Sequence, residues 1–170
     1  MSKILIVGDS QSVNPGSAAA RSLKALGHEV QRVSNVGMGP YDYVRLSALW
    51  REYTAAVTKF TPHLVVLVFG SNDSANKHLF DALRQLKNRV KPKVILTGPP
   101  RYPDPEHQER GEKIRAVYIS AFGADYLDSY PHTDPKLSRA ADGLHFTVKG
   151  AVPWGEAIAD EVLRRLAVKP

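Results

Sequence analysis

Short apolar runs alternate along this chain with stretches whose apolar residues recur at helical spacing. Ile4-Leu5-Ile6-Val7 makes Lys3 to Val7 a predicted first strand, and Pro15 to Leu26 follows as a helix with Gly27 as its stop. Glu29 to Val33 is a second strand. Tyr43 to Phe60 is predicted as one helix, with Leu46, Leu49, Trp50, Tyr53, Val57 and Phe60 along one face. His63 to Phe69 is a third strand, apolar from Leu64 onward, as expected for a strand covered on both faces. Leu79, Leu83, Leu86 and Val90 mark another helix, and Lys93 to Thr97 a fourth strand. Gly98 to Pro105 carries four prolines and is expected to be a loop. A helix through Ile114, Val117, Tyr118 and Ala121 comes next. It is followed by a short strand at Ala124 to Leu127, an irregular stretch at Lys136 to Gly143, and a closing helix at Ala151 to Leu166. Alternation of this kind predicts an α/β layered domain with a five-stranded, mainly parallel sheet and helices on both faces. In such sheets ligands bind beyond the carboxyl ends of the strands. Gly8-Asp9-Ser10, Asn35 to Gly39 and Gly70 to Asp73 all follow strand ends, so all three are expected on one edge.

Composition narrows the class. The 170 residues, 43% of them apolar, suit a single domain over 1–170 with a core of its own. No apolar run approaches the ~20 residues of a membrane helix, so no membrane insertion is expected. The start, Met-Ser-Lys, lacks the pattern of a signal peptide, which makes a cytoplasmic location the default expectation. With no cysteine, thiol nucleophiles, disulfides and zinc-thiolate sites are excluded. The net charge of +6 leaves room for attraction to an anionic polymer. Neither an arginine-rich run nor an aromatic-basic platform is present, so nucleic acid is not an expected partner.

Candidate chemistry sits in those strand-end segments. Ser10 is a candidate nucleophile, although a serine there also serves as a cap, and a phosphate loop is a competing reading. Gly8 to Gly16 lacks both G-x-x-x-x-G-K-[ST] and G-x-G-x-x-G, which weakens the nucleotide reading. His145 is a candidate general base, and Asp142, three residues earlier, can orient its ring and stabilise its cation. His28, His63, His78, His107 and His132 are read as surface or strand-edge positions with no such companion. Asn72 can donate its side-chain amide to an oxyanion, or simply turn the chain. Asp73 is read as organising its loop. Gly37 and Gly39 let the backbone approach a substrate, whereas Pro40 has no N–H to offer.

These four segments, in this order, resemble the sequence blocks of the SGNH hydrolases, the GDSL-type esterase and lipase superfamily. Gly8-Asp9-Ser10 resembles the first block and Asn35 to Gly39 the second. Gly70-Ser71-Asn72-Asp73 resembles the third, and Asp142-Gly143-Leu144-His145 the last. The resemblance implies a flavodoxin-like three-layer α/β/α sandwich and a Ser10–His145–Asp142 triad. It also implies an oxyanion hole from the Ser10 N–H, a second-block glycine N–H and the Asn72 side chain. Two positions depart from the pattern. Gln11 stands where the name-giving motif has leucine, and Pro40 stands where the oxyanion glycine falls, five residues after the asparagine. A one-residue shortening brings Gly39 into that role, with Gly37 as the fallback.

No cofactor or metal is implied. The expected reaction is hydrolysis of a small-molecule or glycan ester through an acyl-enzyme, with short acyl groups such as O-acetyl favoured. Gly98 to Glu106 and Ser129 to Ala141 are the loops expected to shape the pocket. Asp9, Gly37, Tyr41 and Arg101, with Tyr102 beside them, are candidates for substrate contact. A lysophospholipase or thioesterase of the same fold is one alternative. A non-catalytic flavodoxin-like module binding a phosphate-bearing ligand is another.

Overall fold

The computed structural model describes residues 1–167. Its five strands are β1 (Lys3–Gly8), β2 (Glu29–Ser34), β3 (Leu64–Val68), β4 (Lys93–Thr97) and β5 (Tyr126–Leu127). They lie in the order β2-β1-β3-β4-β5, and every pair is parallel. This order places a topological switch point between β1 and β3, where loops leaving the two strands diverge and open a crevice.

The sheet divides the core by the two-residue period of its strands. On β1, Leu5 and Val7 face one side, where they join Val65 and Leu67 of β3. That side is covered by α2 (Pro40–Arg45), α3 (Ser47–Phe60), α4 (Lys77–Asn88) and α5 (Pro105–Phe122). Ile4 and Ile6 face the other side with Leu64, Val66 and Val68, under α1 (Val13–Ala25) and α6 (Val152–Ala167). Central β3 is buried on both faces, as its unbroken apolar run predicts. Trp154 of α6 is wholly buried, and its indole N–H donates to Thr97 Oγ1 at 3.0 Å, so its one polar atom has a partner. The result is the three-layer α/β/α sandwich expected from the alternation.

Three expected boundaries shift. The predicted helix Tyr43 to Phe60 is two helices, broken where Leu46 takes an extended conformation (φ −86°, ψ 112°). Tyr43 is fully buried and donates its hydroxyl to Gly8 O at 2.9 Å, so α2 is docked against the end of β1 while α3 turns away along the sheet. Pro105 opens α5 instead of closing the loop before it. A proline loses no helical hydrogen bond at a first-turn position, and Asp104 caps the end by accepting from His107 N. The last strand keeps only Tyr126–Leu127, because 123–125 form a 3-10 turn. Among the described residues no helix is long and apolar enough to cross a membrane.

Helices α1 and α6 approach closely through small residues. A Cβ on Gly155 would stand 2.4 Å from Ala18 Cβ and 2.8 Å from Pro15 O. Gly155→Val is therefore expected to destabilise the fold by about 1–3 kcal/mol. The check is the midpoint of urea unfolding; an unchanged midpoint would show that these helices separate at no cost.

Candidate active site

The chain leaves β1 at Gly8 and turns at once into a 3-10 turn over Ser10–Ser12. Asp9 sets that turn. Its Oδ1 accepts from Gln11 N at 2.8 Å, as an N-cap residue does. Its Oδ2 accepts from Gly70 N and from Asn72 Nδ2, both at 2.8 Å, across the crevice on the β3 side. Asp9 is completely buried. Burial pushes its carboxyl up to about 7, against the opposing pull of the Gly70 and Gln11 N–H groups, the His145 charge and the Asn72 amide. Asp9, a candidate for substrate contact, thus cannot reach a substrate; it fixes the turn that carries Ser10 and the amide of Asn72.

Asn72 has two amide hydrogens, and the bond to Asp9 occupies one of them. The bond also orients the amide, since only its nitrogen end can meet a carboxylate. The Ser10 backbone N–H has no partner among the described residues.

The distant tail segment folds back over this turn. Asp142 Oδ1 accepts from Leu144 N at 2.9 Å and His145 N at 3.0 Å, while Oδ2 meets His145 Nδ1 at 2.6 Å. The His145 ring and these two N–H groups hold the Asp142 carboxyl down at about 2. His145 Nε2 lies 2.8 Å from Ser10 Oγ. A carboxylate can only accept, so Nδ1 carries the proton and Nε2 presents its lone pair to the serine hydroxyl. The chain Asp142–His145–Ser10 is therefore continuous and correctly polarised for proton transfer away from Ser10.

Side chains from the Ser10 turn, from α1 and from the loop before Asp142 pin the tail there. Gln11 Nε2 donates to Leu144 O at 3.2 Å and Asn14 Nδ2 to Phe146 O at 2.7 Å. Arg139 lays its guanidinium 3.9 Å over the Phe146 ring and donates to Leu144 O at 2.6 Å and to Arg101 O. The motif-departing Gln11 is thus a strut between the serine turn and the histidine segment, a role that leucine could not fill.

Above Ser10 lies a cleft of about 180 Å³ lined by Ser10, Gln11, Val36, Gly37, Ser71, Asn72, Tyr102, His107, Leu144 and His145. Gly37, in the left-handed region at φ 78°, is the second-block glycine on its wall. Gly39 is not. Its N–H donates to Asp42 Oδ2 at 3.1 Å, where it helps cap α2, and this corrects the sequence reading that preferred it as oxyanion donor. Tyr41 and Arg101 also fall outside the cleft. Tyr41 packs its ring against His78, and the Arg101 guanidinium lies over Tyr130. Arg101 lies in a loop, where no periodicity fixes a side chain's direction, and Tyr41 lies in α2, a short helix that the sequence reading does not resolve.

Tyr102, which does line the cleft, joins its hydroxyl to Ser71 Oγ at 3.1 Å. His107 also lines it. The reading that His107 lacks a carboxylate companion is wrong: Asp104 Oδ1 meets its Nδ1 at 2.8 Å. The signal was present, because Asp104 and His107 repeat the three-residue spacing of Asp142 and His145. Among the described residues no group of three or more His, Cys, Asp or Glu side chains is gathered as a metal site would require.

No family model matches the sequence, and no curated protein does. Solved structures match it in fold. Est24, a carbohydrate acetylesterase from Sinorhizobium meliloti, is 17% identical with a TM-score of 0.72, over 97% of this chain and 100% of that one. A candidate SGNH hydrolase from Slackia heliotrinireducens is 16% identical with a TM-score of 0.72, over 95% and 98%. The aryl esterase of M. smegmatis, in inhibitor-bound form, is 17% identical with a TM-score of 0.67, over 96% and 99%. At such identities the likeness is one of fold, and the chain has the fold of the SGNH hydrolases.

Asp9 yields a pH test. Its carboxyl, near 3.8 when free, rises to about 7 on folding, so the folded chain holds an extra proton between those values. The stability it contributes is fully present below about pH 4 and is lost as the pH rises to about 7. Asp9→Asn cannot ionise. Its melting temperature, measured against wild type, is expected to move in the variant's favour from pH 4 to pH 7. A constant gap would show that Asp9 does not titrate in that window.

Proposed function

We propose that this chain is a serine hydrolase that cleaves carboxylic esters through an acyl-enzyme on Ser10, with short acyl groups, such as O-acetyl on carbohydrate or cell-wall glycan, as its substrates. The observation that carries this reading is the unbroken contact series from Ser10 Oγ to His145 Nε2 at 2.8 Å and from His145 Nδ1 to Asp142 at 2.6 Å.

In the proposed reaction Ser10 Oγ bonds to the ester carbonyl carbon while its proton passes to His145 Nε2. Asp142, ionised down to about pH 2, stabilises the imidazolium that forms. Negative charge gathers on the carbonyl oxygen. Its proposed donors are the Ser10 N–H, the free amide hydrogen of Asn72 and the Gly37 N–H. The C–O bond to the alcohol then breaks, and His145 returns the proton to the departing oxygen. Water enters, gives a proton to His145, and bonds to the acyl carbon. Collapse of this second intermediate releases the carboxylic acid and restores the Ser10 hydroxyl.

The size of the cleft supports a short acyl group. At about 180 Å³ it is smaller than the ~300–1,000 Å³ typical of pockets that enclose drug-sized ligands, and a long acyl chain would find little wall to bury against. The carbohydrate acetylesterase among the fold neighbours agrees with this choice.

Ser10→Ala is expected to lower kcat on a chromogenic acetate ester by about 10⁴-fold or more. Asn72→Ala is expected to cost about 10²–10³-fold in kcat if its amide meets the oxyanion. Retention of the wild-type rate by Ser10→Ala would end the proposal. A series of esters with acyl groups of increasing length should give its highest kcat/KM at two carbons, whereas a maximum at eight or more would favour the lysophospholipase or thioesterase alternative.

A further inference from the structure

We propose that His107, held by Asp104, recognises a hydroxyl group on the alcohol portion of the substrate and so selects esters of polyhydroxy alcohols. The proposal rests on the ester hydrolase reading above and assigns the role to a residue outside the triad.

Two Asp-x-x-His pairs border the same cleft, and they are built alike. In each, the aspartate accepts the backbone N–H of the histidine three residues on, at 2.9 Å for His107 and 3.0 Å for His145. In each, the carboxylate also meets Nδ1, at 2.8 Å for His107 and 2.6 Å for His145. The pairs differ at Nε2. That of His145 meets Ser10, whereas that of His107 has no partner among the described residues.

The difference defines a chemistry. Asp104 can only accept, so in the neutral ring the shared proton sits on His107 Nδ1 and Nε2 is left as a hydrogen-bond acceptor. A carbonyl or ether oxygen has no hydrogen to give it, whereas an alcohol hydroxyl does. The site is also rigid. His107 stands in the first turn of α5, where Pro105 fixes the backbone and Asp104 caps the helix. Gln108, its neighbour, accepts from Tyr102 N at 2.8 Å, and the Tyr102 ring lies 6.0 Å from the imidazole. Beside it, Ser71 and Tyr102 also line the cleft, their hydroxyls joined at 3.1 Å. A hydroxyl-bearing alcohol therefore meets a preset acceptor, while an alkyl alcohol leaves that acceptor unused.

The test compares two esters that differ only in hydroxyl groups, glycerol monoacetate and propyl acetate. Wild type is expected to favour glycerol monoacetate in kcat/KM. In His107→Ala the ratio of the two values should fall by about threefold to tenfold, the range of one neutral hydrogen bond. His107→Gln, which keeps an acceptor oxygen, should recover part of the ratio. A ratio near one in wild type, or an unchanged ratio in both variants, would overturn the proposal even if their absolute rates drop. Failure of the hydrolase reading looks different: neither ester would be turned over faster by wild type than by Ser10→Ala, and this proposal would fall with it.

Discussion

A single buried carboxylate holds the candidate site together. Asp9 is sealed from solvent at the mouth of the β1–β3 crevice, and each of its oxygens is used. One oxygen shapes the turn bearing Ser10. The other draws in the β3 loop through Gly70 N and Asn72 Nδ2. Burying a charge is costly, and burial accordingly raises the carboxyl of Asp9. Three N–H donors offset it, and all of them belong to segments that the proposed chemistry needs. Without this carboxylate the Ser10 turn and the Asn72 amide would have no common reference point.

The second constraint brings the tail to the head. Asp142 to His145 lies more than 130 positions from Ser10 in sequence, so loop closure must be supported by contacts on arrival. Arg139 supplies several of these, with two backbone carbonyls as acceptors and the Phe146 ring beneath its guanidinium. Gln11 of the Ser10 turn and Asn14 at the start of α1 supply the rest. Beyond this segment, α6 anchors the chain through Trp154 and through its close approach to α1 at Gly155. The histidine is thus placed by a packed helix on one side and a hydrogen-bonded turn on the other. The contacts from Asp142 through His145 to Ser10 follow from both.

Much of this was legible in the sequence because it depends on period and order. Unbroken apolar runs mark β1, β3 and β4, and strand-end placement gathers Ser10, Asn72 and the Asn35 to Gly39 segment on one edge. What escaped depends on which partner each polar atom finds. The break at Leu46 was hidden because leucine suits the helical stripe; the cause is the docking of Tyr43 on Gly8, a tertiary contact. Gly39 was preferred to Gly37 by position alone, while the fate of its N–H depended on the side chain of Asp42. The spacing of Asp104 and His107 is readable, but Asp104 ends the proline-rich segment expected as loop, and it is the helix beginning at Pro105 that brings His107 onto its carboxylate. Arg101 cannot be placed from sequence, since nothing local sets the direction of an exposed loop side chain, and Tyr41 is misplaced because the separate helix α2 goes unread.

The juxtaposition of Ser10 and His145 is tested most directly by covalent trapping. The folded protein is treated with a fluorophosphonate at neutral pH, digested, and mapped by mass spectrometry. A single adduct on the Ser10 hydroxyl is expected, absent in Ser10→Ala, formed far more slowly in His145→Ala, and lost when wild type is unfolded before treatment. A folded wild-type protein that takes up no label at Ser10, or takes it up as fast without His145, would contradict the hydrolase reading.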